Sequence, residues 1–481
     1  MKKLFLSILL ILTAYSLTAY SLQPAWATVY YADGDSLGGA ASDSNNCTAL
    51  VTPCLKVQGV INKGLVPGDI VNIRVAEYFE RVNLTVSGIA GSFITFQGYL
   101  TERPTIVGAE VFSGSWSVDS GSRYVSVNNS ITWTPKMMVT RCPTTDVLMD
   151  SRNNTSAVNV NNAGEWWYDS VNKKAYAWMP GSVNPSTCSI RFTQLPTSAA
   201  GWDGLFFVQA DYILIQNINV KYSNAGAIFG GETAGVQGKF LQVKNVDADW
   251  TYQAGIKSYK RDYTYFYTNT VNHAVVSHFI EGGSGQPEPM NFGQGDFNVA
   301  ESNTITNSYF MGCPSIGSAD TTSSGNNISI NNVCTNVDHA TYTNRSWRNR
   351  FQNNTVTEGG DNLYISPEPS SVGNNKYNVY VGSTLKGGDS CSRLLTYGAT
   401  PNKSYNNYIV NNTCYDTDKG FWSQNTSTTL YDNEFKNNII YGVSGNPVIM
   451  AQNGNPSDND WVKNLHFSTA VSTKYFDQTG N

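Results

Sequence analysis

The chain has 481 residues, a formal net charge of −5, and 14% charged against 12% aromatic residues, with 52 asparagines. Soluble domains usually carry roughly a quarter charged residues. No Lys/Arg cluster exists to neutralise phosphates, which excludes a basic nucleic-acid binder. The periodicity of a helical bundle is missing, and 40% hydrophobic residues exclude a disordered chain.

The first element, residues 1–27, reads as a secretory signal. Lys2 and Lys3 form the positive region, Leu4 to Leu12 the apolar region, and Ala25-Trp26-Ala27 the small-x-small cleavage site. The apolar run is shorter than the ~20 residues of a membrane span, and no later stretch is apolar enough to span a bilayer. The expectation is an exported protein, extracellular or periplasmic, with no membrane span. All eight cysteines follow the signal: Cys47, Cys54, Cys142, Cys188, Cys313, Cys334, Cys391 and Cys414. An even number in an exported chain predicts disulfides, and the expected pairing is between sequential neighbours.

Residues 28–110 are expected to hold an N-terminal cap and the first coils of a repeat. Val57, Val60 and Ile61 recur at helical spacing, and Pro67-Gly68 stops that element. Residues 111–200 break the repeat and carry Trp116, Trp133, Trp166, Trp167 and Trp178. There Glu165-Trp-Trp-Tyr-Asp169 and Ala175-Tyr-Ala-Trp-Met179 flank a polar turn and read as a hairpin. Its indoles are read as the small core of an inserted β module, with sugar stacking as the alternative.

Residues 201–445 carry a recurring phrase in which a hydrophobic or aromatic residue usually stands two before an Asn. The key positions are Asn217, Asn245, Asn269, Asn307, Asn332, Asn354, Asn412 and Asn438. Four of the seven intervals lie between 22 and 26 residues. One strand motif per such period signals a solenoid, whose stacked coils bury the apolar face that one coil cannot. An inward Asn at the same place in each coil bonds its neighbours above and below through its amide. Cys313 precedes Cys334 by 21 residues and Cys391 precedes Cys414 by 23, one coil in each case. Residues 446–481 are expected to cap the far end.

The stretch Cys54-Leu-Lys-Val-Gln-Gly-Val-Ile-Asn-Lys-Gly-Leu-Val-Pro-Gly-Asp69 leads into Ile70 to Arg81. Ile94-Thr-Phe-Gln-Gly-Tyr99 and Arg103-Pro-Thr-Ile-Val-Gly108 follow. With the repeat, these segments resemble the right-handed parallel β-helix, or pectate-lyase-like, superfamily over residues 28–108 and 201–445. The resemblance implies an all-β solenoid closed by an amphipathic capping helix. It also implies a Pro-Gly-Asp turn into the first strand and a Gly-x-Tyr-x-Glu-like phrase, here with Ala76 in the place of glycine. The Trp-rich stretch resembles the small β insertion of some glycoside-processing β-helix proteins.

No nucleotide, zinc-protease or serine-hydrolase signature is present. Aligning the coils on their key Asn stacks Asp249, His273 and Glu358, then Asp338-His339 and Asp361, then Lys257, Glu281 and Arg345. Trp250, Tyr252, Tyr259 and Trp347 accompany them as expected substrate-binding aromatics. Aromatics and mixed charges along a solenoid flank suit a polysaccharide. The leading expectation is a lyase acting on a uronic-acid polymer by β-elimination, which needs a base and a cation for the sugar carboxylate. The base would come from Lys257, His273 or His339. Arg345, or Ca²⁺ on Asp249, Glu358 and Asp361, would neutralise the carboxylate. Superfamily members often use a Lys or Arg base, with or without calcium. The alternatives are hydrolysis by two carboxylates among Asp249, Asp338, Glu358 and Asp361, and a non-catalytic carbohydrate-binding or adhesive solenoid. A monomer with a polysaccharide as its partner, and no nucleic acid, is expected.

Overall fold

A computed structural model describes residues 27–477 apart from 128–130, 132, 152–153, 198–201, 278–287, 310–311, 318–323, 367–373, 397–402, 426–429, 444–448, 453–458 and 468–474. The expected export signal up to residue 26, and Glu281, lie outside the described residues.

The chain winds as a right-handed parallel β-helix. Among the described residues, three long parallel sheets of thirteen, twelve and twelve strands form its faces, here called A, B and C. One coil shows the path. Asp361–Ile365 lies in sheet C, Asn374–Lys376 in a small five-stranded sheet D, Val379–Val381 in A, Thr384–Lys386 in B, and Ser390–Thr396 returns to C. Alternation sends every second side chain inward. Sheet B thereby stacks Ile106, Val220, Ala248, Val271, Ile305, Cys334, Val356, Leu385 and Cys414 in one buried column. Aromatic rings fill the same core, as in Phe351 on Tyr380 with ring centroids 4.9 Å apart.

Two buried asparagine ladders turn the corners. At the A–B corner, Asn303 donates from its backbone and its amide to Asn332 Oδ1, both at 2.9 Å. Asn332 repeats both bonds to Asn354, and Asn412 repeats them to Asn438. The residue before each ladder Asn takes a positive φ, as Asn331 does at 56°. A left-handed residue bends the strand, and the amide replaces the interrupted backbone bonds. Five of the eight key asparagines, Asn269, Asn332, Asn354, Asn412 and Asn438, are buried in this ladder. Asn217 and Asn245 stand one residue earlier, at the left-handed position, and Asn307 belongs to the B–C corner. A second ladder at the D–A corner, through Asn298, Asn327, Asn349, Asn378, Asn407 and Asn433, adds a corner that the sequence reading lacked.

The helix Val57–Ile61 covers the N-terminal end. Its first two amides donate to the buried Glu80 carboxylate at 2.8 and 2.9 Å, so the last residue of the Ala76–Glu80 phrase caps the cap. The expected C-terminal cap is instead more solenoid. Asp460–Val462, Leu465–Phe467 and Tyr475–Asp477 add strands to A, B and C. Four disulfides join sequential neighbours, 47–54, 142–188, 313–334 and 391–414. The last two link adjacent coils. No helix among the described residues is long and apolar enough to cross a membrane.

Between Ala109 and Thr193 the solenoid gives way to two four-stranded antiparallel sheets. Their shared core holds Met138, Met149, Trp166, Ile190 and Phe192. The module sits on the solenoid through Met137 and Val139, which pack with Tyr222, Trp250 and Tyr252. Polar bonds close the seam. Arg141 pairs with Asp146 at 2.8 Å, and Asp146 accepts from the Tyr222 hydroxyl at 3.1 Å.

Candidate active site

The B–C corner is built differently from the other two. Among the described residues it has no continuous amide ladder, and its left-handed position passes through Trp250, His273, Asn307, Asn336, Glu358 and Gly387 on successive coils. Varied side chains therefore leave the solenoid here. They line a cleft of about 650 Å³ that includes His273, Tyr309, Asp338, Glu358, Gly360 and Asp389.

Glycines form its floor. His339 pairs with Asp361 and Asp361 with Ser390 in sheet C, so Asp338, Gly360 and Asp389 share one column. A Cβ on Gly360 would collide with the Asp338 carbonyl oxygen and stand 3.1 Å from its Oδ1. Gly388 has φ +84°, and a side chain there would strike the Gly359 carbonyl oxygen. The Asp389 backbone amide donates to the Gly360 carbonyl at 2.7 Å. Asp338 and Asp389 thus flank a bare glycine, their backbones two strand spacings, roughly 9–10 Å, apart.

One residue further along, Asp361 is buried and well held. It accepts from Ser390 Oγ at 2.6 Å and from Arg393 Nη1 at 3.1 Å, with His339 Nδ1 at 3.6 Å. The His339 ring stacks on Tyr364, centroids 4.6 Å apart. At the cleft wall, burial raises the pKa of the Tyr309 phenol and keeps it a donor. His273 lies flat on Trp250 at 3.9 Å, and its Nδ1 is 3.0 Å from Asp249 Oδ1.

The outer face of sheet C extends from this cleft. Its pairing carries Phe207, Phe229, Lys257, Asn291 and Ser315 in one file, continued by Tyr342, Tyr364, Arg393 and Trp422, of which only Phe207, Arg393 and Trp422 are more than marginally exposed. Nine strands span roughly 40 Å. Cations lie over the rings: Arg393 is 4.2 Å and Lys419 4.3 Å from the Trp422 centroid. At the other end, Lys257 Nζ is 3.2 Å from Glu288 Oε2 and 4.5 Å from the centroid of the exposed Trp202, which also meets Tyr259 at 4.1 Å.

Of the sequence-predicted residues, the fold brings His273, Asp338 and Glu358 to the cleft, with His339 and Asp361 beside it. Lys257 and Tyr259 share the sheet C face, several strands upstream. Trp250 and Tyr252 are buried beneath the module, which removes them from any open groove. Arg345 is buried at the start of sheet D, after the sheet C strand has left the cleft, so it cannot meet a substrate carboxylate there. Trp347 lies in sheet D beneath the Arg348 guanidinium. Asp249, Glu358 and Asp361 do not converge. Among the described residues no three His, Cys, Asp or Glu side chains form a metal-holding group, and Asp361 is occupied by Ser390 and Arg393. Asp389, Arg393, Glu288, Trp202 and Trp422 were missed. The repeated Gly-Gly-Asp of 359–361 and 387–389 was the available signal for Asp389.

No family model and no curated relative matches this sequence. Among solved structures, the chain is similar to XylC in complex with xylose, with a TM-score of 0.52, 10% identity, and 92% of this chain and 86% of that chain covered. It is also similar to a structure described as a glycoside hydrolase, with a TM-score of 0.50, 10% identity, and 93% and 98% covered. Likeness at this identity concerns the fold alone, the parallel β-helix.

Proposed function

We propose that the protein is an exported polysaccharide-processing enzyme that hydrolyses glycosidic bonds, with Asp338 and Asp389 as its carboxyl pair. The observation that carries this reading is their placement across Gly360, in the cleft at the B–C corner. Inverting glycosidases hold their two carboxyl groups about 6.5–9.5 Å apart, which leaves room for water. One of the pair, protonated, gives its proton to the leaving glycosidic oxygen. The other takes a proton from a water whose oxygen bonds to the anomeric carbon as the old bond breaks. Trp422, half-buried on the same sheet, offers a ring to a neighbouring sugar. The two solved structures named above, one holding xylose and one described as a glycoside hydrolase, agree with this chemistry.

The cleft carries Asp338, Glu358 and Asp389, and the whole chain is net negative. That field disfavours a polyanion, so a neutral saccharide is the substrate class. β-Elimination on a uronic-acid polymer is the second reading, favoured by Lys257, Arg393 and Lys419 on the same strand face. Against it, Lys257 is tied to Glu288, and Arg345 is buried far from the cleft. A panel of neutral and acidic polysaccharides separates the readings. Hydrolysis gives reducing ends without ultraviolet absorbance from a new C=C, and elimination gives both. Neither signal on any substrate favours a binding solenoid.

A further inference from the structure

The inserted module divides its aromatics between two faces. In the hairpin of Glu165–Asp169 and Lys174–Trp178, Trp166, Tyr168, Ala175 and Ala177 point inward and are buried. Trp167, Tyr176 and Trp178 point outward and are half-buried. The four-stranded register sets Trp167, Tyr176, Val125 and Ser117 in one row across the outer face. Trp167 and Tyr176 lie 5.5 Å apart at an interplanar angle of 32°, which makes one broad, shallow surface. Trp178 is fixed beside them by its Nε1 donating to Ser182 Oγ at 3.0 Å.

Folding does not account for this row. The module core is complete on the opposite face, and the Cys142–Cys188 disulfide closes it. An outward aromatic row on a small antiparallel sheet leaves ring faces in contact with water, where a ligand can stack. The row itself is uncharged. Its rim carries both signs, the Arg123–Asp119 pair at 2.6 Å and the exposed Lys174. A charged ligand finds no complementary field there. A neutral sugar chain does fit, with C–H faces for the rings and hydroxyls for the rim. The module is also continuous with the cleft, because it buries Trp250, and His273 stacks on Trp250 at the cleft wall.

We infer that the outer face of the module is a second saccharide-binding site, centred on Trp167 and Tyr176, which holds a neutral polysaccharide chain. The choice of a neutral chain rests on the proposed function, whereas the site itself rests on the module geometry. The test is native affinity electrophoresis of the full chain in gels containing xylan, mannan, β-glucan, polygalacturonate or alginate. At least one neutral polysaccharide is expected to retard the wild type. The W167A/Y176A double variant is expected to bind about tenfold more weakly. W167F/Y176F, which keeps the rings, stays within about threefold of the wild type and so separates ring loss from misfolding. Asp338→Asn leaves retardation unchanged. The inference is overturned by a double alanine variant retarded like the wild type, by loss of retardation in Asp338→Asn, or by no retardation of the wild type in any neutral gel. Retardation without product release sinks the hydrolysis reading and leaves this site standing.

Discussion

Asp338 and Asp389 occupy the same register position two coils apart, and the residue between them is Gly360. Any side chain at that point would press on Asp338, so the glycine keeps open a slot bounded by two carboxylates. Asp338→Asn and Asp389→Asn are each expected to lower kcat/KM by about 10² to 10⁴-fold. Both should leave the urea unfolding midpoint close to the wild type, since neither side chain supports the core. Loss of activity together with loss of stability would mark them as structural instead.

The asparagine ladder makes a sharper stability statement. Asn332 accepts from Asn303 and donates to the Ala300 carbonyl at 3.0 Å, entirely buried. Asn332→Ala strands several buried polar groups and is expected to cost about 3 kcal/mol. Its neighbour Asn331 supplies only a left-handed φ of 56°. Asn331→Gly, which tolerates that φ, should change stability by less than about 0.5 kcal/mol. Urea denaturation of the two variants measures the contrast.

The seam between module and solenoid should respond to acid. Burial acts to raise the Asp146 pKa, but bonds from Arg141 and Tyr222 outweigh it, and the folded-state pKa lies below the ordinary value. Asp146 therefore stabilises docking fully above its unfolded pKa of about 3.9. That contribution is lost as pH falls through the lower folded value. Tryptophan fluorescence, to which the buried Trp250 at this seam contributes as one of eleven tryptophans, is expected to change in that acid range. In Asp146→Asn this acid dependence should be flattened.

The two inter-coil disulfides add a third kind of restraint. Cys313 and Cys334 join neighbouring coils across 21 residues. Replacing both by serine is expected to lower stability by about 3 kcal/mol through the freed unfolded chain. Thermal unfolding of the wild type and the variant without reductant checks this, and reductant, which opens all four bridges, should lower the wild-type midpoint at least as far as that of the variant.

Much of this fold was legible in the sequence because a solenoid repeats its physics along the chain. The interval between buried asparagines, the one-coil spacing of the cysteines and the cap at Val57 to Ile61 all survive in the structure. The second ladder escaped because Asn298, Asn327 and Asn349 stand beside a corner whose preceding residues vary, Phe297, Asn326 and Arg348 among them. Register errors of one residue put Asn217 and Asn245 on the bend instead of inside it. The site was harder to read. What covers Trp250 and Tyr252 is a module from residues 109–193, and local alternation says nothing about a distant lid. Arg345 reads as a surface cation, yet it folds inward at the start of sheet D. Asp389 was hidden because its Gly-Gly-Asp phrase is offset by one residue from that of Asp361, so alignment by phrase pairs the wrong carboxylates.

Product analysis on neutral polysaccharides tests the carboxyl pair, with reducing ends and C=C absorbance followed together in the wild type, Asp338→Asn and Asp389→Asn. The expected result is reducing ends without absorbance in the wild type, and their loss in both variants. Products carrying a C=C, or hydrolysis that persists in either variant, would contradict the assignment of the carboxyl pair.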